Sequence, residues 1–182
     1  MNYREIFEET LALARERKPT LLLHSCCAVC SSYVISLVAD AFDTTVLYYN
    51  PNIFPEAEYI KRKNEQIRII DEIYHGGVKY LDFDYDHGEF LAAATGLETA
   101  PEGGARCEKC FHLRLKKTAD TADALGFDYF CTTLTVSPHK DAEAINAIGN
   151  GLSDESSAKW LFSDFKKKDG YLRSTELARK YS

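Results

Sequence analysis

Helix-like and strand-like segments alternate along almost the whole chain, and this order restricts the possible folds more than any other feature. Residues 20–24 and 44–49 are short apolar or β-branched runs typical of buried strands, whereas residues 56–74 are charged and periodic in isoleucine. Further strands are predicted at 78–83, 127–134 and 159–162, and further helices at 2–17, 28–40, 86–94, 107–125, 141–148 and 174–180. Strands that alternate with helices pair in parallel, with helices on both faces. The sequence therefore predicts an α/β fold: three α/β/α layers around a mostly parallel sheet of about five strands.

The composition predicts one soluble domain. The chain has 182 residues, of which 45% are hydrophobic and 27% charged. We expect a single domain over residues 1–182, in which residues from about 150 to 182 pack as an extension. The acidic N-terminal stretch lacks the apolar run of a signal peptide, and no run approaches the roughly 20 apolar residues that span a bilayer. We therefore expect a cytoplasmic protein with no membrane partner.

Five of the six cysteines fall into two groups. Cys26, Cys27 and Cys30 follow the first predicted strand, and Cys107 and Cys110 have C-x-x-C spacing at the start of a predicted helix. In a reducing compartment such groups favour metal or redox chemistry over structural disulfides. C-x-x-C spacing suits zinc, an iron–sulfur cluster or a redox dithiol. Because adjacent side chains are expected to diverge, the vicinal pair favours the distinct irons of a cluster over a single tetrahedral zinc.

Ligands of parallel sheets bind beyond the carboxyl ends of the strands, and this rule directs attention to the strand ends. His24, Tyr49 and Asp82 lie at predicted strand ends and are candidates for proton supply. A histidine at such a position is equally often a core residue with satisfied hydrogen bonds. Cys131 is interpreted as core, and so are the tyrosines at 48, 49 and 59, although a tyrosine can also stack on a base.

The net charge of −6 disfavours a protein that coats nucleic acid nonspecifically, but two segments are basic. One surrounds the C-x-x-C, and the other lies near the C-terminus. These segments indicate a phosphate-bearing partner, with a solvated helix face as the alternative. The first segment contains Arg106, Lys109, Arg114, Lys116 and Lys117, and the second contains Lys166, Lys167, Lys168, Arg173, Arg179 and Lys180.

Several uncommon strings also resemble a known family. LLLHSCCA begins at residue 21, NPNI at 50, RCEKCF at 106, TTL at 132 and SDFKKKDGY at 163. In this order and spacing, from about residue 20 onwards, they resemble the QueH-type, cobalamin-independent epoxyqueuosine reductases. The resemblance implies an oxidoreductase of tRNA processing that performs the last step of queuosine biosynthesis. In that step the epoxide of epoxyqueuosine, at the wobble position of a tRNA, is reduced to an alkene. The fold expected is Rossmann-like, of the HUP type.

The resemblance also implies cofactors and site residues. Members hold a 4Fe–4S cluster beside a further iron and use no cobalamin, and the matching ligands here are Cys26, Cys27, Cys107 and Cys110. Some members place an Asp three residues after the vicinal pair as a ligand of the extra iron, where this chain has Cys30. Many members continue into a tail with a Cys-Gly-Cys string. The implied partners are a tRNA and an electron donor, and the expected tRNA contacts are Arg106, Lys109, Arg114, Lys166, Lys167, Lys168 and Arg173.

Three alternatives remain open from the sequence. A zinc-binding, cysteine-rich module that binds RNA without redox activity is the main one, and it predicts closed four-sulfur ligation. A nucleotide-using α/β enzyme is disfavoured, because its first loop requires small Gly and Ser residues where this chain has CCAVC. Disulfide exchange is favoured only if no metal binds.

Overall fold

The computed structural model describes residues 1–181 and contains the expected alternation of strands and helices. The strands are short, and the helices that connect them are longer. The strands are β1 (Thr20–Ser25), β2 (Asp43–Tyr48), β3 (Lys79–Asp82), β4 (Tyr129–Thr132) and β5 (Lys159–Trp160). The helices are α1 (Tyr3–Arg17), α2 (Ala28–Val38), α3 (Glu56–Tyr74), α4 (His87–Ala93), α5 (Ala105–Leu125), α6 (Ala142–Ser153) and α7 (Gly170–Lys180), with a 3₁₀ turn at Leu134–Val136.

The five strands form one sheet in the order β3-β2-β1-β4-β5, and every neighbouring pair is parallel. Strand β1 is central, with Leu23 opposite Val46 of β2 on one side and Cys131 of β4 on the other. The order of strands reverses at β1, because the chain proceeds outward through β2 and β3 before returning to β4. This topology confirms the predicted Rossmann-like α/β fold. It also places the loop after β1 at the switch point, where such folds bind ligands.

Two hydrophobic clusters lie on opposite faces of the sheet. Leu21 and Leu23 of β1 pack in one cluster, and Leu22 packs in the other, as the alternation of side chains along a strand requires. All three leucines are fully buried, and each contributes about 1.5–3 kcal/mol relative to an exposed side chain. Cys131 belongs to the first cluster, which confirms its interpretation as a core residue.

Most element boundaries agree with the sequence prediction within a few residues, and the largest difference concerns α6. This helix runs to Ser153 rather than ending near residue 148, although it contains Gly149 and Gly151. Gly149 is needed there because a Cβ at that position would lie 2.3 Å from the ring of Trp160. The glycine therefore allows close helix–strand packing and does not end the helix.

The C-terminal part of the chain contacts the rest through both its strand and its last helix. Strand β5 pairs with β4 at the edge of the sheet, and α7 packs against α2. Asn146 connects α6 to β5 and to the segment after it. Its Oδ1 accepts from Trp160 Nε1 at 3.0 Å and from the Ser163 backbone N–H at 3.1 Å. Within residues 1–181 no helix is long and apolar enough to cross a membrane.

Candidate metal centre

Three loops meet at the carboxyl edge of the sheet, and hydrogen bonds hold them together. Asn50 Nδ2, after β2, donates to the Ser25 carbonyl at 2.9 Å. Thr133, after β4, donates its backbone N–H to the His24 carbonyl at 2.9 Å, and its Oγ1 accepts from the Cys26 N–H at 3.1 Å. The loop after β1 is therefore fixed from both neighbouring strands. These are the strand ends at which the sequence predicted chemistry.

Cys26, Cys27 and Cys30 form a compact group of thiols. Their Sγ atoms all lie within 4.8 Å of one another, and the Sγ atoms of Cys26 and Cys27 are 3.9 Å apart. The expectation that the vicinal side chains diverge is therefore wrong. Side chains alternate only while the backbone remains in a strand, and β1 ends at Ser25, one residue before the pair. Three thiols gathered in this way suit a metal centre with sulfur ligands.

The electrostatics of this group favour a thiolate at Cys26. Hydrogen bonds from the Cys27 and Cys30 thiols hold the pKa of Cys26 well below its ordinary value, against the effect of burial. The same interactions raise the pKa of Cys27 to about 12 and also raise the pKa of Cys30. Metals bind the thiolate form, so this lowering of the Cys26 pKa favours metal ligation.

Thr133 contacts the group directly, and it is a residue whose role the sequence did not reveal. Its hydroxyl donates to Cys26 Sγ at 3.4 Å while accepting from the Cys26 N–H. We expect Thr133→Val, which keeps the shape and removes both contacts, to lower metal affinity about 10–100-fold. Thr133→Ser should restore it. Metal retained after competition with a chelator measures the effect, and equal retention by the valine variant and the wild type would contradict this assignment.

Gln66 of α3 hydrogen-bonds to the loop that carries Cys26, Cys27 and Cys30. This residue is fully buried, and its Oε1 accepts hydrogen bonds from Ser25 Oγ at 2.5 Å and Ser31 Oγ at 2.8 Å. The two serines flank the cysteines in sequence, so the amide fixes both ends of the cysteine loop. A glutamine within a long charged helix gives no sequence signal for this role.

Cys107 and Cys110 lie in the first turns of α5, where they line a cavity of about 280 Å³. Cys107 Sγ accepts from the Gly103 backbone N–H at 3.3 Å. Neither sulfur belongs to the group within 4.8 Å that Cys26 forms, but Cys26 and Cys107 pack against the same hydrophobic cluster. The other residues around the cavity are mostly polar: Asn52, Glu102, Gly103, Glu108, Phe111, Arg114, His139, Lys140, Asp141 and Ala144.

The three residues considered for proton supply lie at the strand ends but not among the cavity residues just named. His24 is fully buried, with Nδ1 2.9 Å from Thr132 Oγ1 and Nε2 3.0 Å from the Tyr49 carbonyl. Burial, with Arg114 nearby, lowers the pKa of His24 to about 4, so the imidazole is neutral at neutral pH. The Tyr49 hydroxyl donates to Glu89, and Asp82 binds Lys63 Nζ at 2.5 Å.

The tyrosines at 48, 49 and 59 are buried, so their interpretation as core residues is confirmed and base stacking is excluded. Burial is the main cause that raises the pKa of each of these phenols.

The basic residues predicted to contact tRNA differ in their surroundings. Lys109 is exposed beside Cys110, whereas Arg114 is buried and its Nε donates to the Cys110 carbonyl at 3.2 Å. Arg106 donates to the Glu98 carbonyl at 3.1 Å.

The basic residues of the C-terminal segment make other contacts. Lys166 contacts the Lys140 carbonyl and Asp164. Lys167 lies near the N-terminus, and Lys168 pairs with Glu8. Arg173 lies beside Leu37 in a groove between α2 and α7.

Comparison with known proteins relates this site to one family. The family model described as epoxyqueuosine reductase QueH matches residues 21–182. The chain belongs to this family. It is 39% identical over its full length to epoxyqueuosine reductase QueH of Streptococcus pyogenes serotype M1, of which it covers 73%. It is 39% identical over 91% of its length to the Staphylococcus epidermidis QueH and 30% identical over 88% to that of Thermotoga maritima, and it covers 71% and 82% of them.

Membership of the QueH family confirms the predicted oxidoreductase and its link to queuosine biosynthesis, rather than the redox-inactive zinc module. Among solved structures, the NH3-dependent NAD synthetase of Campylobacter jejuni has a TM-score of 0.56 over 97% of this chain and 74% of its own, with 16% sequence identity. This similarity supports the fold alone.

Proposed function

We propose that this QueH-family chain reduces the epoxide of epoxyqueuosine, at the wobble position of a tRNA, to the alkene of queuosine. The convergent group of Cys26, Cys27 and Cys30 carries the proposal. The reaction consumes two electrons and two protons and releases the epoxide oxygen as water. A one-electron donor protein or chemical reductant supplies the electrons.

The thiols of this site suit an iron–sulfur group. All six cysteines are free, three of their sulfurs converge, and Cys107 and Cys110 line the adjoining cavity. Cys26, Cys27, Cys107 and Cys110 would hold a 4Fe–4S cluster, and Cys30 would be available to a further iron. When bound, such a group supplies electrons one at a time and acts as a Lewis acid.

The remaining residues of the site position the substrate and control protons. The cavity beside Cys107 is large enough for part of a nucleoside, and Phe111 provides an apolar wall. His139 lines this cavity and carries an exchangeable proton. His24 hydrogen-bonds to Thr132 and to the Tyr49 carbonyl, and Asp82 pairs with Lys63, so these contacts orient the strand ends. We propose that His24, Tyr49 and Asp82 supply protons from those strand ends.

The proposed substrate is an RNA, and basic side chains are proposed to bind its phosphates. Lys109 is the clearest candidate, because it is exposed and adjacent to Cys110. The other residues of the proposed set, of which Arg114 is buried, are Arg106, Arg114, Lys166, Lys167, Lys168 and Arg173.

We expect Lys109→Ala to weaken tRNA binding by the loss of one phosphate contact. The slope of log affinity against log salt should fall by about 0.7–0.9, and turnover at saturating tRNA should remain near that of the wild type. Lys159→Ala is the matched control, because this exposed lysine begins β5 and so lies at the amino end of the parallel strands, away from the cysteine groups. Salt-titrated binding to tRNA measures both variants, and an identical slope in Lys109→Ala and the control would contradict the contact.

The direct test of the function uses the full chain loaded anaerobically with iron and sulfide. We expect a brown protein with at least about four irons per chain that converts epoxyqueuosine in tRNA to queuosine when a reductant is supplied. Elemental analysis, visible spectra and nucleoside analysis of the tRNA measure these outcomes. Stoichiometric zinc with no visible absorbance and no conversion would overturn the proposal.

A further inference from the structure

An unbroken series of aromatic rings runs from the core of the protein to its surface. Tyr48 and Tyr59 have ring centroids 5.2 Å apart, and Tyr59 and Tyr85 are 4.6 Å apart. Tyr85 and His87 are stacked at 6.4 Å, and His87 lies 5.1 Å from Phe54. Tyr48 is fully buried, whereas 71% of Phe54 is exposed. The outermost ring of the series therefore has one face supported by protein and much of its surface open to solvent.

The loop that carries Phe54 is held rigidly. Its neighbour Ile53 is buried, and the Ile53 carbonyl accepts from the Tyr85 hydroxyl at 2.6 Å. The Ile53 N–H donates to the Asn50 carbonyl at 3.1 Å, and His87 Nδ1 lies 2.7 Å from the Pro51 carbonyl. A ring on such a loop loses little conformational entropy when a ligand covers it.

This loop is continuous with the candidate metal centre. Asn50 binds the Ser25 carbonyl, next to Cys26, and Asn52 lines the same cavity as Cys107. Phe54 is only two residues beyond Asn52, so its ring lies at the margin of the site at which the epoxide is proposed to react.

A single exposed apolar side chain is common and needs no special explanation. Phe54 differs because all ten phenylalanines lie within the described residues and the other nine are buried or half-buried. Phe54 also differs because its ring contacts that of His87, which in turn contacts that of Tyr85.

Enzymes that act on a base remove it from its stack, and the neighbouring base then loses a stacking partner. Aromatic side chains replace such partners with little regard to sequence.

We propose that Phe54 is a stacking platform for an unpaired base of the RNA substrate, next to the nucleotide that enters the cavity. This inference rests on the proposed function. The contact is between ring faces and not between charges. It therefore adds affinity that does not depend on salt.

The first test measures the affinity of the full chain for a fluorescein-labelled tRNA anticodon stem-loop. We expect Phe54→Ala to weaken binding roughly 5- to 150-fold with an unchanged salt slope, and Phe54→Trp to bind like the wild type. Leu125→Ala is the matched control, because Leu125 is 61% exposed at the far end of α5 and should have no effect. Removing one loop base from the RNA should weaken the wild type but not Phe54→Ala, which identifies the stacked base.

The second test uses fluorescence and does not depend on a loss of binding. The one natural tryptophan, Trp160, is buried in β5 at the other edge of the sheet, so its emission should not respond to RNA. In Phe54→Trp, the new indole should be quenched when unlabelled stem-loop is added.

Three outcomes would overturn the inference. If Phe54→Ala binds the stem-loop within twofold of the wild type, or if the new indole is not quenched at saturation, the ring does not stack on the RNA. If Phe54→Ala loses turnover but keeps RNA affinity, the ring serves another partner. In these cases the wild type still converts the stem-loop and the proposed function stands. A wild type that neither binds nor converts it would overturn the proposed function as well.

Discussion

Cys26→Ser is expected to abolish epoxide reduction and to lower metal content sharply. Cys26 is the thiol whose pKa is held well below its ordinary value, and it contacts Cys27 at 3.9 Å and Thr133 at 3.4 Å. A serine hydroxyl keeps the size of the side chain but does not supply a thiolate ligand. Removing an atom that supports a metal ligand already costs about 10–100-fold, so removing the ligand itself should cost more than about 100-fold in activity.

The measurements are elemental analysis after anaerobic loading and conversion of epoxyqueuosine in tRNA. Cys131→Ala is the matched control, because Cys131 is also buried but packs in the core and contacts the Leu161 carbonyl at 3.3 Å. We expect that variant to keep its metal and its activity. Circular dichroism should show Cys26→Ser to be folded, and tRNA affinity should remain close to the wild type. A Cys26→Ser protein with full metal content would remove Cys26 from the ligand set.

Asn146→Ala is expected to have the largest effect on stability among the single substitutions considered. The Asn146 side chain accepts from Trp160 Nε1 and the Ser163 N–H, and its Nδ2 donates to the Ser163 carbonyl at 2.8 Å. All of these groups are in a buried environment. Each buried polar group left without a partner costs about 1–3 kcal/mol, so we expect the free energy of unfolding to fall by about 3 kcal/mol or more.

Urea unfolding monitored by the fluorescence of Trp160 measures this loss. Asn150→Ala on the same helix is the control, because Asn150 is exposed and its replacement should change stability by no more than about 0.5 kcal/mol. Similar midpoints for the two variants would show that the hydrogen bonds of Asn146 are not what attaches the C-terminal strand.

The sequence predicted the fold, and the strand ends at which the candidate site lies, because both depend on local patterns. Apolar runs such as Leu21–Leu23 identify buried parallel strands, and the C-x-x-C spacing of Cys107 and Cys110 indicates a candidate ligand pair without any knowledge of the fold. The rule that ligands bind beyond strand ends then indicated the candidate site. No long-range information was required for these steps.

The structural details that the sequence did not predict depend mostly on contacts between residues far apart in sequence. Thr133 reaches Cys26 across more than a hundred residues, and Gln66 supports the same loop from another helix. The convergence of Cys26 and Cys27 depends on the residue at which β1 ends, which sequence patterns locate only approximately. The helix predicted to end at residue 148 continues to Ser153, because Gly149 packs against Trp160, a contact that is not visible in a local pattern.

The direction of the strands has a practical consequence for attaching probes. Because all five strands are parallel, every thiol of the two groups lies at one end of the sheet, and the turn at residues 75–77 lies at the other. With six cysteines in the chain, thiol-directed dyes or tethers would attack the site itself. A short peptide tag inserted in this exposed turn offers an alternative handle for immobilisation. A protein immobilised through this turn would keep the end of the sheet that carries the cysteines accessible to the solution.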